Sequence, residues 1–424
     1  MLTIYTGVVK FRPLLVPVLS ACLAVVSSGQ EGHAPSVVPP GAKSAECTGR
    51  KIPRLENIVE KTGITFQHVD VPEKRYIVES MGGGVVLIDY DRDGWPDIYF
   101  TNNPSVDQQL KKQYAPGALY HNNHDGTFTD ATGKSGIHTA CFGMGGAVGD
   151  YNNDGWPDLY LTCLGGNVLY RNNGDGSFTD VTKQAGVADG RWSTGAAFGD
   201  YDGDGYVDLM VANYLDFHLD DLPGFGKTPT CKYRGLDVQC GPRGMPGAGD
   251  SLFHNNGDGT FTDVSKKLGV DDPNGFYGLT TTWADLGGGH PDILIANDAT
   301  PNFLYRNDGK GKFTEFGMES GTALTDDGSM QGSMGVAIGD YLHTGRPAVF
   351  ITNFADQYDT LYRNDGDYNF RDVSFPSGIA VASLPWVKWG TAFFDIDNNG
   401  WLDLIVVSGH VYPQVDQLPA GTKY

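Results

Sequence analysis

The chain has 424 residues and a formal net charge of −21, from 30 basic and 51 acidic side chains. So many carboxylates repel phosphate groups, which argues against nucleic acid as a partner, and their mutual repulsion needs a solvated surface or bound cations to offset it. With 59 glycines, 12% aromatic and only 19% charged residues, the composition favours short strands joined by tight turns and excludes a coiled coil or helical bundle.

The N-terminus has the pattern of a targeting segment. Two basic residues precede the apolar run 14–26, which is short for a membrane span and ends in small residues. This pattern predicts a signal peptide over 1–29 and a Gly/Pro/Ser-rich linker over 30–54, with an N-terminal anchor helix as the alternative. Cys22 ends a stretch that resembles a bacterial lipoprotein box, so a lipid anchor there is a second expectation and the one predicted membrane attachment. The chain is therefore expected to be secreted or extracytoplasmic.

A strand, an acidic loop and a second strand recur six times in the remaining chain. The first copy reads GGVVLIDYDRDGWPDIYF from Gly83, and successive copies lie 50 to 85 residues apart. Repetition at such a period indicates one structural unit per copy. Each loop begins at an aspartate: Asp89, Asp150, Asp200, Asp285, Asp340 and Asp395.

A second motif, exemplified by LYRNNGDGSFTDVT from Leu169, alternates with the first and occurs five times. Its Asn-Gly and Asp-Gly pairs favour the positive φ angles of tight hairpins. Two hairpins per repeat give four antiparallel strands, which predicts an all-β protein, a β-propeller over 55–424 with six to seven blades and a ring that is incomplete if strands are missing. Residues 57–66 resemble the end of the second motif, so they are expected to add an outer strand to the last blade.

Four of the six acidic loops have the donor pattern of a metal site. Each places Asp or Asn at loop positions 1, 3, 5 and 9 and glycine at position 6, which is the pattern of oxygen ligands and sharp turn that Ca²⁺ requires. We expect the backbone carbonyl of position 7 to complete each site, giving about four calcium ions. The predicted ligands are Asp89, Asp91, Asp93, Asp97, Asp150, Asn152, Asp154, Asp158, Asp200, Asp202, Asp204, Asp208, Asp395, Asp397, Asn399 and Asp403.

These loops have two other interpretations. An EF-hand is excluded because position 12 is apolar in all four loops and lies in a predicted strand. The preference of Asp, Asn and Gly for tight turns explains why these residues occur in the loops, but a turn alone does not require four acidic or amide side chains close together. The loops at Asp285 and Asp340 have lost the acids at positions 3 and 5, so no metal is expected there.

The longest interruption of the repeats, 213–250, is a candidate recognition loop or an inert decoration. It contains Cys231 and Cys240, which we expect to form a disulfide, whereas Cys47, Cys141 and Cys163 cannot be paired from sequence. Tryptophans could stack on sugars, although packing between blades is the commoner role in such repeats: Trp156, Trp192, Trp283, Trp386, Trp389 and Trp401. A polar site formed by His410, Glu79 and His68 is a weaker alternative to ordinary turn or core roles.

The motifs quoted above, together with GHVYPQVD from Gly409, resemble the FG-GAP and VCBS repeats of integrin-α-type propellers. They are more closely similar to the extracellular proteins, related to cartilage acidic protein, that carry an ASPIC/UnbV domain. The resemblance covers 55–416 and implies a secreted, calcium-binding, seven-bladed propeller for adhesion or recognition, with the position 1, 3, 5 and 9 residues as ligands. The family's chain continues into further hairpins and the ASPIC/UnbV domain, whereas this sequence ends at Tyr424, so an unclosed ring is expected.

Catalytic motifs are not found: the sequence contains no GxSxG, HExxH, P-loop or CxxC pattern. The first hypothesis is therefore a non-enzymatic calcium-stabilised module that binds an extracellular protein or a glycan. The alternative is a calcium-dependent polysaccharide lyase or glycosidase on a propeller scaffold, which needs suitably spaced acids in a cleft. A third interpretation is a surface spacer without a specific ligand.

Overall fold

The computed structural model describes residues 36, 38–42, 55–69, 75–139, 141–222 and 230–418. The expected signal peptide, most of the linker, Cys22 and Cys47 lie outside these residues. The described part is an all-β propeller, as the repeats predict: five four-stranded antiparallel sheets and a sixth, two-stranded sheet follow one another along the chain as blades 1 to 6. A further two-stranded sheet belongs to the insertion.

The strands begin and end close to the predicted hairpins. Blades 1 and 2 contain β1 (Val85–Ile88), β2 (Asp97–Phe100), β3 (Ala118–Asn122), β4 (Phe128–Asp130), β5 (Phe142–Gly149), β6 (Asp158–Leu164), β7 (Val168–Asn172) and β8 (Phe178–Asp180). Blade 3 contains β9 (Ser193–Gly199) and β10 (Asp208–Asn213), then, after the insertion hairpin of β11 (Thr230–Tyr233) and β12 (Leu236–Gln239), β13 (Ser251–Asn255) and β14 (Phe261–Asp263).

Blades 4 to 6 contain β15 (Gly278–Ala284), β16 (Asp292–Asn297), β17 (Phe303–Asn307), β18 (Phe313–Glu315), β19 (Val336–Gly339), β20 (Ala348–Ile351), β21 (Thr360–Asn364), β22 (Phe370–Asp372), β23 (Lys388–Phe394) and β24 (Asp403–Ser408). The second strands β6, β10 and β16 are buried along their whole length because neighbouring blades cover both of their faces. This double burial is why their sequences are continuous apolar runs.

Short helical turns connect the blades. They are α1 (Val59–Thr62), α3 (Thr132–Ser135), α4 (Thr182–Ala185), α5 (Ser265–Leu268), α6 (Gly317–Ser320) and α7 (Ser374–Ser377), each followed by a glycine with positive φ. Two other helices, α2 (Val106–Leu110) and α8 (Ile379–Ser383), and three 3₁₀ turns (Ile77–Ser80, Leu219–Asp221 and Pro413–Gln417) complete the described elements. None of these helices is long and apolar enough to cross a membrane.

The segment before blade 1 differs from its prediction. None of residues 55–69 forms a strand, so the expected outer strand of the last blade is not there. Instead, a Cβ added at Gly63 would meet the Phe128 carbonyl at 2.8 Å, just as one added at Gly136 would meet the next blade's Phe178 carbonyl at 3.0 Å. The turn α1 therefore lies against blade 1 as α3 lies against blade 2.

Each pair of successive blades shares an apolar cluster, and this is where most of the core lies. Val86 and Leu161 pack between blades 1 and 2, for example, and Phe350 and Leu404 between blades 5 and 6. Between blades 6 and 1 the described residues form no comparable cluster of strand side chains, and Leu87 of β1 is 63% exposed. The ring is open at this seam.

Candidate metal centres

The acidic loops all lie at one end of the propeller. Strands alternate in direction, so the connections between first and second strands share an end with the tight turns between third and fourth strands. We call this the loop end and number the acidic loops 1 to 6 by blade: 89–97, 150–158, 200–208, 285–292, 340–348 and 395–403. The insertion 213–250 follows a second strand and therefore emerges at the opposite end.

Hydrogen bonds inside each loop hold it in one conformation. In loop 1 the Asp89 carboxylate accepts the N–H groups of Asp93 at 3.0 Å and Gly94 at 3.1 Å, and the Asp93 carboxylate accepts that of Trp95 at 2.8 Å. Loops 2, 3 and 6 repeat these bonds between positions 1, 5, 6 and 7. Because positions 1 and 5 are fixed in this way, their carboxylate or amide oxygens face the same side of the loop.

The oxygens at the ligand positions converge in three of the four predicted loops. Carboxylate oxygens lie within 4.8 Å of one another in each of these groups: Asp89, Asp91 and Asp93; Asp200, Asp202 and Asp208; Asp395, Asp397 and Asp403. Asp97 of loop 1 and Asp204 of loop 3 join such groups that also contain a histidine, described below. In loop 2, the Asn152 amide at position 3 donates to Asp154 at 2.8 Å, so these two side chains are also in contact.

In loops 1, 2 and 3 the aspartate at position 9 is buried and joins the two hairpins of its blade. Asp158 is fully buried, and its two oxygens accept the N–H groups of Tyr151 at 3.2 Å and Asn172 at 2.8 Å. Burial raises the pKa of Asp158 to about 7, and likewise raises that of Asp208 to about 7 and that of Asp97 to about 6. A cation at the loop would favour the ionised form of these acids.

Loops 1 to 4 are also tied to the following blade. The Asn172 amide of blade 2 donates to the Tyr90 carbonyl of loop 1 at 2.7 Å, and the Asn255 amide of blade 3 donates to Tyr151 of loop 2 at 2.7 Å. Asn307 and Asn364 make the corresponding bonds to loops 3 and 4. Any ligand that stiffens a loop therefore also stiffens a contact between blades.

Loops 4 and 5 form the same kind of turn without the converging acids. Asp340 of loop 5 accepts the N–H groups of Thr344 at 3.0 Å and Gly345 at 2.6 Å. Loop 4 keeps its last aspartate, Asp292, which is 1% exposed and accepts N–H groups from Leu286 and Asn307. Around neither loop do His, Cys, Asp and Glu side chains of the described chain form a group of three with ligand spacing.

Sequence reasoning missed three histidines at the loop end. His121 Nδ1 lies 3.2 Å from Asp91 Oδ2 and 3.3 Å from Asp97 Oδ1, and His254 Nδ1 lies 3.0 Å from Asp208 Oδ1. His124 Nε2 is in contact with Asp93 Oδ2. The available signal was the residue before the asparagine of the second motif, which is histidine in blades 1 and 3 and arginine in blades 2, 4 and 5.

At the opposite end the described part of the insertion shares an apolar cluster with residues of several blades. The predicted disulfide between Cys231 and Cys240 is present and joins the two strands of the hairpin. Tyr233 of this hairpin packs against Phe354 and Tyr412, with ring centroids 6.3 Å and 5.5 Å away. A second disulfide joins Cys141 to Cys163, a pair that the sequence left open. Two disulfides fit an oxidising, extracytoplasmic compartment.

The other candidate ligand residues are dispersed. Trp192 is fully buried, Trp283 bonds the Ala197 carbonyl of the preceding blade, and Trp389 bonds the Gly409 carbonyl. Trp156 lies under Arg92, while Trp386 and Trp401 are exposed.

The three members of the suggested polar site also have separate environments. Buried His410 lies among aromatic rings, and Glu79 accepts the Tyr76 N–H. His68 approaches Gly83. None of the three belongs to a metal-type group in the described chain.

Comparisons with known proteins agree with this architecture. The FG-GAP-like repeat family matches residues 89–161, 150–211 and 287–351. The chain is 27% identical to human cartilage acidic protein 1 over 208 residues, which are 45% of this chain and 29% of that protein. The chain thus matches less than a third of that relative's length.

Among solved structures, a lectin from Agrocybe aegerita, described as recognising non-reducing terminal N-acetylglucosamine, has a TM-score of 0.42 and 18% identity. The match covers 77% of this chain and 74% of the lectin. At that score it carries no argument about the ligand of this protein.

Proposed function

We propose that this chain, which carries FG-GAP-like repeats on a β-propeller, is an extracellular recognition module whose blades are stabilised by calcium. Its partner class is an extracellular protein or a glycan. Loops 1, 2, 3 and 6 supply the calcium ligands, namely the sixteen position 1, 3, 5 and 9 residues given above. The proposal covers secretion, calcium binding and recognition together.

The observation that carries the calcium assignment is the convergence of side chains at positions 3 and 5. Positions 1 and 9 have a structural explanation, because their carboxylates accept backbone N–H groups in loops with and without the other acids. Asp93 at position 5 also accepts the Trp95 N–H, but that bond does not require its carboxylate to lie beside those of Asp89 and Asp91, and in loop 1 oxygens of these three side chains lie within 4.8 Å of one another. Close carboxylates repel unless a cation offsets their charge.

The donor set fits a hard cation. Oxygens from alternate residues, with glycine at position 6, suit the six to eight oxygen ligands of Ca²⁺ better than the strict octahedron of Mg²⁺. A bound calcium ion would supply the positive charge that fastens the acids of one loop together. The asparagine amides between blades would then pass this stiffening to the neighbouring sheet.

The recognition assignment is supported by the insertion, an irregular segment carried on the rigid propeller. The described part of the insertion contains a disulfide-linked hairpin that packs in one apolar cluster with residues of several blades, and loops on rigid scaffolds often carry binding residues.

Calcium binding is tested on the metal-stripped full chain. Calorimetric titration with CaCl₂ is expected to give four equivalents, and the unfolding temperature should rise with free calcium because the ions bind only the folded loops. An unchanged unfolding temperature would overturn the calcium assignment. Recognition is tested by applying the calcium-loaded protein to arrays of glycans and extracellular proteins. Binding without turnover supports the proposal, whereas release of unsaturated or reducing-end products replaces it with the lyase or glycosidase.

A further inference from the structure

The histidines beside loop 1 give that loop a second kind of donor. We propose that loop 1 is a site for a divalent transition ion of the Zn²⁺ class, bound through His121 and His124 together with loop carboxylates, and that loop 3 is a weaker site of the same kind through His254. This inference rests on the proposed function, in which all four loops bind calcium when it is the only divalent ion present. It adds a statement about which ion loop 1 prefers.

His121 is placed as a metal ligand. Its Nδ1 lies 3.2 Å from Asp91 Oδ2 and 3.3 Å from Asp97 Oδ1, and ligand atoms of these three residues lie within 4.8 Å of one another. His121 Nδ1 and Asp91 Oδ1 are both shielded from solvent, yet neither atom makes a hydrogen bond. Solvent-shielded polar atoms that make no hydrogen bond are rare in folded proteins, and here two of them belong to one small cluster, in which His121 Nδ1 faces carboxylate oxygens at ion-pair distance.

His124 adds a second imidazole from the adjoining turn. Its Nε2 contacts Asp93 Oδ2, and its ring stacks on Trp95 with centroids 5.1 Å apart. The ring centroids of His121 and His124 are 6.3 Å apart. His124 has φ of 64°, whereas the other four turns have glycine at this position: Gly174, Gly257, Gly309 and Gly366. The turn itself therefore does not call for a histidine.

Donor chemistry decides which ion these loops prefer. Imidazole nitrogens suit Zn²⁺, Co²⁺ and related ions, whereas carboxylate and carbonyl oxygens suit Ca²⁺ and Mg²⁺. Loop 1 offers two imidazoles with its carboxylates, and loop 3 offers one, since His254 Nδ1 lies 3.0 Å from Asp208 Oδ1 and 3.6 Å from Asp202 Oδ2. Blade 2 has Arg171 at the same register position, and a guanidinium cannot ligate a cation.

The competing explanation is that the histidines only offset loop charge, as an arginine could. The two explanations differ for the variant His121→Arg, which places a permanently cationic side chain at that position but removes the ligand. His124→Gly installs the residue that the other four turns use, so both changes have a precedent in the same fold. His138→Gln is the matched control, because this exposed histidine lies in no acidic loop.

The test uses the full chain saturated with calcium and titrated with CoCl₂ and ZnCl₂. The d–d absorption of Co²⁺ reports nitrogen ligation, and calorimetry gives affinity and stoichiometry. We expect one tight equivalent, which H121R combined with H124G weakens at least about tenfold, the lower end of what even indirect partners of a metal contribute. His254→Arg should weaken only a second equivalent, and H138Q should change neither.

The outcomes separate this inference from the calcium proposal. If the double variant binds Co²⁺ and Zn²⁺ as the native chain does, the inference is wrong while four calcium equivalents would still support calcium loops. If calcium neither binds nor stabilises but histidine-dependent Zn²⁺ binding persists, the calcium proposal fails and the inference stands. Loss of Zn²⁺ binding together with the thermal transition would indicate misfolding, so calcium binding and unfolding temperature are measured on every variant; His124→Gly alone then provides the decisive comparison.

Discussion

Loops 1, 2, 3 and 6 and loops 4 and 5 build the same turn at the same end of the propeller, but among the described residues three carboxylates come within ligand spacing only in loops 1, 3 and 6, and loop 2 brings Asn152 against Asp154. Asp89 and Asp340 show what the groups share, because each carboxylate accepts the N–H groups of positions 5 and 6. Position 3 shows what separates them, being Asp91 in loop 1 and Leu342 in loop 5.

This comparison divides the acidic residues by role. The first and last acids of a loop serve the backbone, since Asp292 makes the buried bonds of Asp208 in a loop without the middle acids. Loops 4 and 5 have no acid at position 3 or 5, yet the turn forms in both and the buried clamp forms in loop 4. The shape of the loop can therefore be separated from its proposed role as a calcium site.

The largest effect on stability is expected when the aspartate at position 1 is replaced by alanine in one loop of each group. Asp200→Ala and Asp340→Ala both remove turn hydrogen bonds, so both should lower stability in metal-free buffer by similar amounts. Only Asp200→Ala should also lose calcium stabilisation, about 2.7 kcal/mol when free calcium is 100 times Kd. Chemical unfolding with and without calcium measures this difference. An equal calcium response in the two variants would erase the distinction between the groups.

A smaller effect is expected at the buried clamp. Asp292→Asn keeps one acceptor oxygen but leaves a buried backbone N–H facing an amide nitrogen, which should cost about 1–3 kcal/mol regardless of calcium. Asp208→Asn should cost a similar amount in metal-free buffer and, in addition, reduce the calcium response of loop 3. Unfolding free energies with and without calcium report both parts. A calcium-dependent loss in Asp292→Asn would contradict the structural role assigned to that residue.

The sequence was sufficient for the blades, the loop end and the Cys231–Cys240 disulfide, because hairpin turns, apolar runs and short cysteine spacing are local signals. It was insufficient for contacts between hairpins. His121 lies 24 residues beyond Asp97 in sequence, and only the pairing of β2 with β3 brings the two side chains together. The Cys141–Cys163 bond likewise depends on the pairing of β5 with β6.

The prediction that residues 57–66 add an outer strand is wrong for a related reason, since the structure has the helical turn α1 there. Residues 57–66 were compared with the end of the second motif, in which a strand is followed by a helical turn and a glycine. The part that this segment reproduces is the turn and Gly63, and not the strand before it. The resemblance to the second motif is present, but residues 57–66 correspond to its helical turn and glycine and not to its last strand.

The smallest effect concerns the pH dependence of stability. It tests the comparison between the two groups of loops without a substitution at position 3 or 5. Burial raises the pKa of Asp158 and of Asp208 to about 7, above the ordinary value of 3.8. An acid whose pKa is higher in the folded protein stabilises it when protonated, so this contribution is present below about pH 4 and is lost as pH rises towards 7. The metal-free protein should therefore lose stability from pH 4 to pH 7.

Calcium should oppose that loss, because an ion in the loop favours the ionised acid, so the stabilisation by calcium should grow over the same pH range. Asp158→Asn should reduce the slope of the metal-free profile by up to about 1.4 kcal/mol per pH unit, because one titrating group is removed. Glu60→Gln controls for overall charge, since it removes one exposed carboxylate that belongs to none of the acidic loops. The measurement is the unfolding free energy at pH 5 to 8 with and without calcium. A metal-free stability that rises with pH, or a native slope retained in Asp158→Asn, would mean that the position 9 acids are ionised in the fold even without a cation. In that case the buried aspartates of the ligand-bearing loops would need no metal to offset their charge.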